Sequence, residues 1–288
     1  MITAISFYNL LKKCFSLFTA LLLLLTGMVN SLFTGDIYPY ESSTDTVALE
    51  TLTRTQGVTT DGEGWIFSGK NALEKISIET NEIIALNPNA IPKELSEKFG
   101  SKHIGGISYH NGIVYAAIED TKQWKYPIVA LYDSQTLEYT GTYFILPTEQ
   151  HTRGIPWVTV DAEHGVAYAG DSRNDEEIFV YDLETFEYLR TVTLSQEIED
   201  MQGGEYGNGK LYIGSNDITR AVYSVDVNTG EVTKLFDRIM YEYKYIDNFG
   251  GEGEGLTLLK CEDGTYIHTL QLGALFIDAS LRHYKLPE

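Results

Sequence analysis

The chain has 288 residues, of which 43% are hydrophobic, and it carries a formal net charge of −20 at pH 7. A surface this acidic repels phosphate backbones and anionic lipid, which excludes nucleic acid as a partner. The same charge would attract cations such as Ca²⁺, although a charged, soluble surface is the simpler interpretation.

Residues 1–34 have the pattern of an export signal. Lys12 and Lys13 precede an uncharged stretch over residues 14–33, and acidic residues follow it. This order of charges places the N-terminus inside the cytoplasm and the rest of the chain outside it. The stretch has about the 20 apolar residues that span a bilayer, and Val29-Asn30-Ser31 offers small side chains for signal-peptidase cleavage. A cleaved signal, slightly favoured, and an uncleaved anchor both remain open, whereas a buried core helix is disfavoured because no polar face is present.

Beyond the leader, the chain repeats a unit of four strands. Its clearest part is a hairpin whose turn holds Asp and Thr, two residues that can bond nearby backbone N–H groups. Copies of this hairpin occupy residues 76–82, 132–138, 181–187, 225–231 and 277–280. Before each copy come a first strand, a turn rich in Gly and an apolar second strand. The units start roughly every 44 to 52 residues, a period typical of propeller blades.

The repeat predicts an all-β fold, a β-propeller with five four-stranded blades over residues 46–288. A β-sandwich is the main alternative, but it would not explain a fixed period. Residues 46–52 are predicted to form one more strand, which completes the last blade and closes the ring. Residues 35–45 before it are predicted to be a linker. A short helix, inserted between blades one and two, is predicted over residues 92–99.

These repeats resemble those of secreted propellers of the gluconolactonase-like and quinoprotein-like types. At the start of the first blade, Thr55-Gln56-Gly57-Val58 is similar to the opening motif of plant-type glutamine cyclotransferases, which have five blades. The later motif of that family is absent, and Phe67-Ser68-Gly69-Lys70 stands in its place. The first resemblance implies a divalent metal at the channel, and the second implies an acyl-cyclising enzyme.

Propeller geometry predicts where a site would lie. The loop before each innermost strand and the loop after each second strand open on one face, around the central channel. Converging polar groups at such a mouth are the default candidate site. The loops before the innermost strands carry Gln56, His103, His151, Arg153, Asp200, Gln202, Glu252 and Glu254. The loops after the second strands carry Glu119, Asp171, Arg173, Asn216 and Asp217. Contact with a ligand is predicted for Gln56, Asp171, Arg173 and Gln202.

A metal site is one interpretation of this face. Glycines flank Glu252 and Glu254, so the backbone can approach a bound group closely. The gluconolactonase-like resemblance assigns the role of metal ligand to Glu254. It also implies Asn and Asp ligands from other blades, which are only partly matched here because Gln56, Arg153 and Gln202 occupy the equivalent positions. Oxygen ligands for Ca²⁺ or another divalent cation are predicted from Glu254, Glu252, Asn216 and Asp217, with Asp171 as a further candidate. The alternative is that Glu254 bonds neighbouring backbone amides.

A second group of candidates would perform proton chemistry. His103 and His151 each precede a glycine at the same repeat position, so both are expected to face the mouth. Together with Arg153 they could bind an anionic substrate, with a histidine as general base. The alternative is that both histidines form hydrogen bonds between blades.

Because no catalytic constellation is complete, the favoured function is an extracytoplasmic recognition module that binds a ligand or partner at the channel face. The alternative is a divalent-metal-dependent hydrolase of lactonase or esterase type, with His103 or His151 moving protons. A cyclising enzyme would rest on the Thr-Gln-Gly motif alone. The predicted partner is a small molecule, or a protein or glycan at the cell surface. Membrane contact is predicted only through the N-terminal segment, and the chain is predicted to be a monomer.

Overall fold

The computed structural model describes Phe18 and residues 42–47, 52–238, 252–272 and 278–286. Within these ranges lie twenty strands and one helix, and the strands form five antiparallel four-stranded sheets. This arrangement confirms the five-bladed propeller. Among the same residues, no helix combines the length and hydrophobicity needed to cross a bilayer. Apart from Phe18, the predicted leader lies outside the described residues.

The first three blades follow one another in chain order. Blade 1 contains β2 (Gly57–Thr60), β3 (Gly64–Ser68), β4 (Leu73–Ser77) and β5 (Ile83–Asn87). Blade 2 contains β6 (His103–His110), β7 (Ile113–Glu119), β8 (Ile128–Asp133) and β9 (Tyr139–Ile145). Blade 3 contains β10 (Val158–Asp161), β11 (Val166–Ala169), β12 (Glu177–Asp182) and β13 (Tyr188–Thr193).

The last two blades complete the ring. Blade 4 contains β14 (Met201–Gly207), β15 (Lys210–Ser215), β16 (Val222–Asp226) and β17 (Val232–Phe236). Blade 5 contains β18 (Gly253–Cys261), β19 (Gly264–Leu272), β20 (Asp278–Lys285) and the N-terminal strand β1 (Ser42–Val47). The helix α1 (Lys93–Phe99) lies between blades 1 and 2, as predicted, and ends at Gly100 with φ 74°.

Ring closure by an N-terminal strand is confirmed, but the strand begins earlier than predicted, and residues 48–51 of the prediction lie outside the described residues. β1 pairs with β20 from Ser42↔His283 to Val47↔Asp278, so it includes part of the predicted linker, residues 35–45. The physical reason is the path of the chain. β1 is the outermost strand of blade 5 and β2 is the innermost strand of blade 1. The chain needs several residues to cross three strand spacings of about 4.8 Å each.

The turn residues of the repeated hairpin act as expected. Asp133 Oδ1 accepts hydrogen bonds from Gln135 N at 3.0 Å and from Thr136 N at 2.8 Å. Asp182 and Asp226 make the equivalent bonds in blades 3 and 4. These hydrogen bonds stabilise the ionised carboxylates and hold the pKa of each aspartate below its usual value. The Asp–Thr pattern therefore marks tight turns, and not a ligand site.

Apolar cores lie between adjacent blades. The core between blades 1 and 2 includes Ile66 and Val114, and α1 adds Leu95 and Phe99 to it. Four further clusters join blades 2 and 3, 3 and 4, 4 and 5, and 5 and 1. Because both faces of each blade are covered, strands such as β7 are hydrophobic without alternation.

Glycines allow the innermost strands to approach one another around the channel. A Cβ on Gly57 would lie 2.9 Å from Gly106 Cα, one on Gly106 would lie 3.0 Å from Trp157 Cα, and one on Gly203 would lie 2.9 Å from Gly255 Cα. One on Gly255 would lie 2.6 Å from Gly57 Cα. These contacts identify five equivalent positions. One residue before each of them lies a layer formed by Gln56, Gly105, Pro156, Gln202 and Glu254.

Gly255→Ala is expected to lower the free energy of unfolding by about 1–3 kcal/mol. The new methyl group would overlap backbone atoms of the neighbouring strand, which cannot move away as a flexible side chain can. Its Cβ would lie 2.6 Å from both Gly57 Cα and Val58 N. Gly214→Ala is the matched control, since its Cβ would meet only Arg238 Nη2 at 3.4 Å and more distant atoms. Urea denaturation of both variants checks the prediction, and equal losses would contradict it.

Candidate functional site

The mouth of the channel contains a cavity of about 310 Å³. All five blades contribute to its wall. The lining residues are Gln56, His103, Gly105, Glu119, Pro156, Ser172, Gln202, Glu252 and Glu254. Five predicted site residues are therefore brought together here, namely Gln56, His103, Gln202, Glu252 and Glu254. Gly105 and Pro156 leave room between the polar side chains.

On one side of the cavity, His103 lies between two acceptors. It begins β6 directly opposite Glu119, the last residue of β7. His103 Nδ1 is 3.3 Å from Glu119 Oε1, and His103 Nε2 contacts the side-chain oxygen of Gln56 in the neighbouring blade. Glu119 Oε2 also accepts a hydrogen bond from Ile155 N at 3.1 Å. The histidine is thus held by blades 1 and 2, while blade 3 fixes its carboxylate partner.

Two carboxyl groups of blade 5, those of Glu252 and Glu254, lie side by side in the same cavity wall. Glu254 is only 5% exposed, and its carboxyl is hydrogen-bonded to that of Glu252. Burial raises the pKa of Glu254 well above its usual value, and the charges of Glu252 and Asp200 add to the effect. The positive charge of Arg238 lowers the pKa of Glu254, but by less than these effects raise it. The two carboxyls therefore place several hydrogen-bond acceptor atoms close together in the cavity wall.

A chain of hydrogen bonds positions this pair from blade 4. Gln202 Nε2 donates to Asp200 Oδ1 at 2.9 Å, and Asn216 Nδ2 donates to Asp200 Oδ2 at 3.2 Å. Asn216 Oδ1 in turn accepts Gly253 N at 3.0 Å. Asn216, predicted as a metal ligand, therefore fixes the backbone between Glu252 and Glu254 from outside the cavity wall.

The structure places His151 in the core of blade 3, which corrects the expectation that both histidines face the mouth. His151 is fully buried, and its Nε2 lies 2.8 Å from Tyr181 Oη. Its ring packs edge-on against Phe179. Burial lowers the pKa of His151 to about 4. The segment between β9 and β10 is irregular, so a shared repeat position did not give the two histidines the same direction.

Four other candidates, Asp171, Arg153, Arg173 and Asp217, are also not part of the cavity lining. The buried Asp171 accepts Thr152 Oγ1 at 3.0 Å, Arg153 N at 3.1 Å and Arg173 N at 2.9 Å, so it fixes two loops. The Arg153 guanidinium stacks over Trp124 at 5.0 Å. The position equivalent to Glu254 in blade 3 belongs to Pro156, and not to Arg153.

Arg173 and Asp217 lie in the loops that follow β11 and β15. Arg173 is exposed and is not part of the cavity lining. Asp217 closes the turn after β15, where its carboxylate accepts Thr219 N at 2.9 Å, Ala221 N at 3.1 Å and Tyr223 Oη at 3.0 Å. Its oxygens are therefore engaged in local structure.

The residues present do not complete the metal site that the gluconolactonase-like resemblance implies. In the layer of Glu254, blades 2 and 3 supply Gly105 and Pro156, neither of which has a ligating side chain. No group of three or more His, Cys, Asp or Glu able to hold a metal ion occurs among the residues that the structure describes. A divalent cation bound by Glu254 and Glu252 stays a prediction from the sequence.

Two polar lining residues, Glu119 and Ser172, had no role predicted from the sequence, although Glu119 was among the loop residues expected at the mouth. Glu119 ends β7, and its pairing with His103 across the β6–β7 hairpin follows from register. Strand pairing read from the repeat could have identified it. Ser172 follows the end of β11, next to the hydrogen-bonded Asp171. No sequence signal distinguishes Ser172 from other serines in loops.

Comparison with known proteins adds a family and no activity. Residues 106–252 match a family described as a repeat of unknown function (DUF6923), and no curated protein matches the sequence. The structure is similar to hydrazine synthase of Kuenenia stuttgartiensis, with 15% identity and a TM-score of 0.43, over 83% of this chain and 60% of that one. A chain of a mitotic checkpoint complex matches with 10% identity and a TM-score of 0.43, over 80% and 63%. This chain thus spans less than two thirds of either neighbour.

Proposed function

The chain belongs to the family described as a repeat of unknown function (DUF6923), which names no activity, and from its site we propose that it is a recognition module whose channel mouth binds a small polar ligand. The leader predicted over residues 1–34 would place this mouth outside the cytoplasm.

The observation that carries the proposal is the cavity of about 310 Å³ to which every blade contributes. Ligand sites in proteins are concave, with a few converging polar groups, and this volume is at the small end of their range. Most of the lining side chains are polar, and they come from segments far apart in sequence. Local folding alone does not require such convergence.

Binding is favoured over catalysis by the partners of the polar groups. His103 contacts Gln56 and Glu119, and not a nucleophile. Ser172 lines the cavity, but within the described ranges no hydrogen bond joins it to a histidine. The arrangement holds acceptors in fixed positions, which suits the recognition of a ligand rich in hydrogen-bond donors.

Ser172→Trp is expected to abolish ligand binding, because an indole at this half-buried position would fill the cavity. Ser96→Trp, on the exposed face of α1, is the matched control. The measurement is a thermal-shift screen of the full chain against polyols, amines, carboxylates and divalent cations. We expect hits to stabilise the wild type and Ser96→Trp but not Ser172→Trp. Hits that stabilise all three proteins equally, or no hit at all, would overturn the proposal.

A further inference from the structure

The chemistry of the mouth indicates what kind of ligand it takes. Three carboxyl groups, of Glu119, Glu252 and Glu254, line the cavity, and none of its described lining residues is a Lys or Arg. The remaining polar groups are two amides, one hydroxyl and one imidazole. A ligand that carries negative charge would therefore meet unfavourable electrostatics at this wall.

Glu254 has no ion-pair partner within the described part of the chain. No described Lys, Arg or His lies at ion-pair distance from its carboxyl, which is 5% exposed and bonded to the carboxyl of Glu252. The charged and titratable groups near the pair are Asp200, Arg238 and Arg220 from blade 4, with His103 and Glu119 also on the cavity wall. A buried carboxylate is stable only when paired, so a cation that enters the cavity can supply the partner that Glu254 lacks among these residues.

We propose that the ligand of this mouth is a compact organic cation with primary ammonium groups, which binds at the carboxyls of Glu252 and Glu254. The inference rests on the proposed function, whose ligand class it specifies. On binding, the ammonium N–H groups donate hydrogen bonds to both carboxylates.

An organic cation fits better than a bare metal ion. The carboxyls of Glu119 and of the Glu252–Glu254 pair do not form, within the described part of the chain, a cluster that could hold one ion. A molecule with several N–H groups can reach separate acceptors at once. One water molecule occupies about 30 Å³ in the liquid. If each non-hydrogen atom of a ligand takes a similar volume, the 310 Å³ cavity admits roughly ten of them.

The test uses three matched probes of similar length, 1,4-diaminobutane, 1,4-butanediol and succinate, together with CaCl₂. Calorimetric titrations of the full chain are run in HEPES, because protonated Tris is itself a primary ammonium ion and phosphate would precipitate calcium. We expect the diamine to bind with one molecule per chain. We expect the diol and succinate to bind at least about tenfold more weakly.

Variants separate the carboxyl pair from general negative charge. Glu254→Gln and Glu252→Gln are each expected to weaken diamine binding at least about tenfold. Glu184→Gln, which removes an exposed carboxyl in the β12–β13 hairpin, should bind as the wild type does. Circular dichroism confirms folding of each variant.

The outcomes distinguish this inference from the proposed function. If the diol binds as tightly as the diamine and Ser172→Trp removes both, the mouth recognises ligands but the cation inference is wrong. If one Ca²⁺ binds per chain and the diamine does not bind, the mouth is a metal site and the inference of an organic cation is wrong. If the diamine binds Glu254→Gln and wild type alike, the inference is also overturned.

Discussion

Glu254→Gln is expected to make the ligand-free protein more stable at pH 7, by about 1–3 kcal/mol, a rise in melting temperature of roughly 2–8 °C. The cause is the raised pKa of this buried carboxyl. A group whose folded pKa exceeds its unfolded value stabilises the fold fully at low pH and loses that contribution as the pH rises. A neutral amide has no such loss and can still donate a hydrogen bond to Glu252.

The pH dependence makes this prediction specific. At pH 4 the carboxyl is protonated in the folded state and largely so in the unfolded state, so wild type and Glu254→Gln should have similar stabilities. The difference should grow between pH 4.5 and 7, and thermal unfolding at half-unit intervals measures it. Glu184→Gln should show no such trend. If Glu254→Gln were less stable than wild type at pH 7, Glu254 would serve the fold and not a ligand.

Acid is expected to destabilise the propeller between about pH 6.5 and 4 through its buried histidines. The pKa of His151 falls from 6.5 to about 4 because the charged ring would be desolvated. In this pH range the unfolded chain binds a proton at His151 that the folded chain does not bind. The free energy of unfolding therefore falls as the pH drops from about 6.5 to 4. For His151 alone the loss is about 3 kcal/mol, at 1.36 kcal/mol per pKa unit.

His151→Gln should remove that part of the acid sensitivity, because glutamine stays neutral and can keep a hydrogen bond to Tyr181. His110→Gln, at the end of β6, is the control and should unfold in acid as the wild type does. Urea titrations at pH 7, 5.5 and 4 measure the free energies of unfolding. An unchanged slope with pH in His151→Gln would contradict the prediction.

Blade 5 has its own acid-sensitive pair. His268 Nδ1 lies 2.6 Å from His283 Nδ1 across β19 and β20, and burial lowers the pKa of both, that of His268 to about 3. Some acid sensitivity should therefore persist in His151→Gln. Since β20 also pairs with β1, this remaining loss would weaken the closure of the ring.

The repeat by itself determined the architecture. A hairpin with Asp and Thr in its turn is a local structure, closed by side chains within three residues of the backbone they bind, so its copies predict blades and their number. The same periodicity placed Gln56, His103, Gln202, Glu252 and Glu254 at one mouth, because each occupies a loop that the fold brings to the channel.

Tertiary structure alone decided which loop side chains reach the cavity. His151 points into its own blade since Tyr181 and Phe179 offer it a buried site, and Asp171 and Asp217 bond nearby backbone and hydroxyl groups. Glu119 joins the site through its pairing with His103, and β1 begins at Ser42 because its partner β20 sets the register. The placement of these side chains depends on contacts between residues that are distant in sequence. A local sequence pattern does not predict the energies of such contacts.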